Sequence, residues 1–132
     1  MRNHRALRGL RVIAIGIALA GSTACGAGRR GNSKPQPAYV YFTNDSQDQA
    51  DVYAVVSGSQ QVRLGTVFSN RTETLVVPGD VAARGATVNV IARLLARNNV
   101  PSSGPLTIHP GDRISVRLPA DQRQLVILPG DR

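Results

Sequence analysis

Arg113-Ile-Ser-Val-Arg-Leu118, then Pro119-Ala-Asp-Gln122, then Arg123-Gln-Leu-Val-Ile-Leu128, is the stretch whose reading decides the fold. Ile114, Val116 and Leu118 alternate with Arg113, Ser115 and Arg117, the period of a strand with one dry face and one wet one. A four-residue loop over 119–122 would set Leu118 opposite Arg123, Val116 opposite Leu125 and Ile114 opposite Ile127. Both apolar sets then share a face, as an antiparallel hairpin requires.

Working outward, the same alternation recurs upstream. Val52, Ala54 and Val56 fall on one face, as do Val88, Val90, Ala92 and Leu94. Strands are expected over 38–43, 51–57, 60–68, 72–77, 86–95, 105–109, 112–118 and 123–128. They are rich in Val, Ile, Leu, Thr and Tyr and separated by Gly, Pro, Asn, Asp and Ser. A helical turn is expected only at 80–84. Pro-Gly-Asp occurs at 78–80, 110–112 and 129–131, each time after an apolar strand end, and predicts type II turns with glycine at positive φ. Seven to eight short strands without long helices predict an all-β domain. It is expected to be a small antiparallel β-sandwich of immunoglobulin-like or transthyretin-like type, with a small closed barrel as the competing architecture.

The N-terminus follows other rules. Arg2, Arg5, Arg8 and Arg11 precede an apolar run from Val12 to Ala20, then Gly21-Ser22-Thr23-Ala24 and Cys25, the only cysteine. A positive start, a short apolar middle and small residues form the order of an export signal. With the cysteine placed directly after the small residues, the segment resembles a bacterial lipoprotein signal, although Ser22 stands where that family usually has Leu or another aliphatic. The resemblance implies cleavage after residue 24, lipidation of Cys25 and attachment to an envelope membrane on its extracytoplasmic side. Ser22 and Ala24 also suit an ordinary signal peptidase, which would leave a secreted protein with a free thiol. The 17 residues between Arg11 and Arg29 carry no charge, which is at the short limit for an uncleaved anchor. The domain plan is thus a signal over 1–24, a Gly-, Asn-, Ser- and Pro-rich tether over 25–37 and a β-domain over 38–132.

The formal net charge of +8 belongs largely to the first two segments. Four of the 16 basic residues lie in the signal, and Arg29, Arg30 and Lys34 lie in the tether, whereas all 8 acids fall later. The domain is then nearly neutral, which argues against a nucleic-acid surface. With one cysteine, neither a disulfide framework nor a Cys-rich metal site can form within one chain.

Catalytic chemistry has little to work with. His109 is the only histidine outside the signal, at a turn between Ile108 and Pro110 and without a nucleophile elbow in the sequence. The expectation is no enzyme and no cofactor. Asp45, Asp48 and Asp51 gather oxygens on one loop, but their spacing is not that of an EF-hand and no bidentate glutamate follows. They predict solvated turn acids, and a weak metal site at most. Tyr39 and Tyr41 share a face opposite Val40 and Phe42. With Tyr53 they suggest an aromatic strip, and with the outward Arg113 and Arg117 a face for a ligand or partner. The reading reached is a membrane-tethered envelope lipoprotein acting as a structural or protein-interaction module, held by membrane lipid and facing an envelope protein partner. The alternative is an accessory domain that binds extracytoplasmic glycan or peptide through the tyrosine face or the 97–105 loop.

Overall fold

Alternation of small apolar and polar residues builds eight strands, because each such segment can bury one face only by packing against another. The computed structural model describes residues 34–57, 60–83, 85 and 87–129; the signal, Cys25 and the tether up to residue 33 lie outside them. The strands are β1 (Ala38–Asn44), β2 (Ala50–Val56), β3 (Gln60–Val67), β4 (Arg71–Val77), β5 (Thr87–Leu94), β6 (Ser102–Thr107), β7 (Arg113–Leu118) and β8 (Val126–Leu128), with a single helical turn α1 (Gly79–Ala82) before β5. They form two four-stranded sheets, β4-β1-β7-β8 and β3-β2-β5-β6, so the architecture is a sandwich and not a closed barrel.

The inner faces supply the core. Val40, Phe42, Val77, Val116 and Leu118 of one sheet meet Val52, Ala54, Val67, Val88 and Val90 of the other, all essentially without solvent contact. Connections plug the ends: Ile108 and Leu125 come from loops, Val81 and Ala82 from α1. Among the described residues, the only large polar group fully buried in this core is Asn44, and each of its side-chain polar atoms is satisfied. Its Nδ2 donates to the carbonyls of Asp48 (2.8 Å) and Val67 (3.1 Å), and its Oδ1 accepts from the Ser46 amide and hydroxyl. One buried side chain thus ties β1, the 45–49 loop and β3 together.

Four expectations need correction. The sheets are not wholly antiparallel: β1 runs antiparallel to β4 but parallel to β7, with Tyr39 beside Arg113 and Thr43 beside Arg117. The terminal hairpin is offset by two residues, with Val116 opposite Ile127 and Ser115 opposite Leu128. Its connection is longer than four residues because Gln122 turns at φ 57 and is held by Asn99, while the Leu125 amide bonds to Ser102 of the other sheet. Leu125 therefore serves as a core plug, and pairing resumes only at Val126. An offset of two keeps the parity, so the apolar face survives.

Strand β6 begins at Ser102, earlier than Gly104-Pro105 suggested. Where the register shifts between Asn89 and Ile91, the Val90 amide donates to Ser103 Oγ at 3.0 Å, a side chain standing in for a ladder carbonyl. Residues 102–105 of the 97–105 loop are therefore strand. Of the Pro-Gly-Asp sites, 110–112 is a turn with Gly111 at φ 85. At 78–80 the tripeptide instead opens α1, with Pro78 as N-cap in extended backbone and its carbonyl accepting from Val81 and Ala82. There glycine is needed for space, because the carbonyl of Pro35 occupies the position a side chain would take. The third site extends beyond the described residues.

Candidate functional site

Strand parity carries Tyr39, Tyr41 and Thr43 of β1 to the outer face of their sheet, since Ala38, Val40 and Phe42 are buried. The parallel register does the same for Arg113, Ser115 and Arg117 of β7, and the antiparallel register for Thr72, Thr74 and Val76 of β4. Rows run across the sheet: Val76, Tyr39 and Arg113; then Thr74, Tyr41 and Ser115; then Thr72, Thr43 and Arg117. All four residues expected on a ligand or partner face, Tyr39, Tyr41, Arg113 and Arg117, are therefore brought onto one surface. Thr43 and Thr72 share a hydroxyl hydrogen bond of 3.0 Å within it. Val126 and Leu128 of β8 extend the face with exposed apolar side chains.

Tyr53 is not part of it. It stands on the outer face of the other sheet, where the Arg93 guanidinium lies 4.9 Å from its ring centroid, so the three tyrosines form no single strip. Beside it Arg63, Asp51 and Thr66 make a compact network, with Thr66 donating to Asp51 at 2.5 Å and Arg63 at 2.9 Å. The Thr66 hydroxyl foremost, then the Arg63 guanidinium, hold the Asp51 carboxyl below its ordinary value of 3.8.

The remaining loop acids are likewise dispersed onto separate partners. Asp45 pairs with Arg117. Asp48 meets Arg97 at 3.4 Å and accepts from Gln122 at 2.8 Å. Among the described residues no group of three His, Cys, Asp or Glu side chains is placed to hold a metal ion. The Asx-type turn in this loop is made by Asn44 with Ser46, not by the aspartates. His109 sits at the β6–β7 turn with its Nδ1 3.3 Å from Asp112 Oδ2, and that carboxylate also accepts the His109 amide at 2.8 Å. The arrangement caps a turn.

One feature escaped sequence reasoning. Beside the β6 and β8 edges lies an open groove of about 970 Å³, lined by the apolar Leu106, Ile114 and Ile127 and by the polar His109, Asp112 and Arg113. Ile127 points inward by parity yet is 39% exposed, because it faces the open groove. The edges also differ in chemistry. β3 presents Gln60, Gln61 and Arg63 and carries a bulge; β4 presents Arg71 and Glu73; β6 contains Gly104 and Pro105. Charges, bulges and proline are the usual guards of a sheet edge. β8 is Val-Ile-Leu, exposed at all three residues and free of charge and bulge, its guards being its three-residue length and the Pro129 that follows it. The apolar triplet was visible in the sequence, but its position at an edge depends on the sheet order.

No protein-family model matches the chain, and no curated protein matches it. Among solved structures it is similar to one described as the NMR structure of the protein from Eubacterium rectale, at 11% identity, over 73% of this chain and 92% of that one, with a TM-score of 0.46.

Proposed function

We propose that the protein is an exported, lipid-anchored envelope module without enzymatic activity, which docks a protein partner by strand addition at β8. The observation that supports this reading most is the β8 edge itself. Val126, Ile127 and Leu128 are exposed beside an open groove of mixed apolar and polar lining, in a domain whose three other sheet edges carry charges, a bulge or proline. A strand laid against β8 would take main-chain hydrogen bonds from the edge and insert every second side chain between the sheets, over Leu106 and Ile114. Recognition of this kind needs only an extended segment with apolar residues at alternate positions. Support for export comes from the sequence, where the signal-like segment ends at Cys25.

A photo-crosslinking side chain at position 127, compared with one at Gln61 on the opposite edge, tests the docking reading in intact cells. The expected result is one discrete envelope-protein adduct from position 127 and none from position 61. Identical adducts from both positions, or none from 127, would overturn it.

A further inference from the structure

β1 is paired on both sides, so the outer face it centres offers a partner only side chains. Those side chains are of few kinds. Tyr39 and Tyr41 stand about 7 Å apart along the strand, flanked by Thr74 and Ser115, with Arg113 in the row of Tyr39 and Arg117 one row beyond Tyr41. No acidic residue occurs among the outward strand positions of β4, β1, β7 and β8. Arg117 is engaged by Asp45, whereas Arg113 meets no carboxylate among the described residues and is exposed.

We propose that this face binds an anionic glycan. Tyrosine rings on a sheet face present an apolar plane with a polar tip, suited to the C–H faces and hydroxyls of sugar rings. The threonine and serine hydroxyls between them both donate and accept. Arg113 supplies a forked donor for a carboxylate or phosphate. An acidic peptide fits less well, because peptide recognition draws on a free backbone edge or a groove, and this face has neither. The proposal does not rest on docking at β8: it uses the outer face of the sheet, which meets the groove at Arg113, and a different class of partner.

Binding is measured on the full chain by calorimetry with oligogalacturonate and with a sugar-phosphate polymer. Neutral malto-oligosaccharide and poly-glutamate serve as controls. The expected result is binding of at least one anionic glycan that weakens tenfold or more in Arg113→Ser and in Tyr41→Ala, with neither control binding comparably. Arg113 is exposed, so its substitution leaves folding intact if Tyr41→Ala does not. Failure of both anionic glycans to bind would overturn the proposal, as would an unchanged affinity in Arg113→Ser. Equal binding of poly-glutamate would replace it with an acidic peptide site, and equal binding of the neutral sugar would remove the role of charge.

Discussion

Asp51 is the residue where local chemistry has a measurable electrostatic consequence. Its carboxylate accepts from Thr66 and Arg63, and both bonds favour the charged form, so the folded-state value lies below 3.8. A group depressed in this way adds stability above its unfolded value, and the contribution disappears as the pH falls through the lower folded value. Loss of stability from this site is therefore confined to the acid side of about pH 4. Thr66→Val removes the larger cause and should return the Asp51 titration toward 3.8, followed by carboxyl NMR shifts against pH. A titration unmoved by the substitution would show that Arg63 alone sets the value. The same pairing explains why Asp45 and Asp48 of the loop and Asp51 of β2 do not converge: each answers a different basic or amide partner, and a cation would have to displace all of them.

Elements were legible where one rule governed them. The alternation in β7 placed Val116 inward and Arg117 outward, and the fold has Val116 at 1% exposure and Arg117 among the exposed residues. Val116→Asp leaves an unpaired charge in the core and should cost more than about 4 kcal/mol, most of the stability of a domain at the lower end of the usual range of about 5–15 kcal/mol. Arg117→Ser removes only a surface ion pair with Asp45 and should cost about 0.2–1 kcal/mol. Equal urea midpoints for the two variants would reverse the face assignment. Where several elements had to agree, the sequence fell silent. The β8 register depends on Leu125 leaving its strand to plug the core, β6 starts early because Ser103 replaces a carbonyl, and the β1–β7 pair joins strands 69 residues apart at their closest termini. Parity alone foresaw that Tyr39, Tyr41, Arg113 and Arg117 face outward, but only the parallel pairing sets them side by side.

At the scale of the whole molecule, the chain enters the sandwich along a fixed path. Pro37 accepts the Gly111 amide at 3.0 Å, and Pro35 packs against Gly79, so the chain is held to the domain before β1 begins. Among the described residues no helix is long and apolar enough to cross a membrane, and the near-neutral balance of the β-domain gives it little general attraction to anionic headgroups. Under the export reading, membrane attachment therefore falls to the segment ending at Cys25, aided by Arg29, Arg30 and Lys34. Each of those cations contributes about 1 kcal/mol near an anionic surface and is screened by salt. A lipid chain adds about 0.8 kcal/mol per buried CH₂ and is not screened. Cys25→Ser should consequently move the protein from a salt-resistant membrane fraction to a soluble or salt-extractable one. Mass spectrometry of the parent protein should find a mature N-terminus at Cys25 carrying lipid. An intact, unmodified junction between Ala24 and Cys25 in the membrane-bound protein would instead assign the anchoring to the uncharged span from Val12 to Gly28, and the lipoprotein reading would fall.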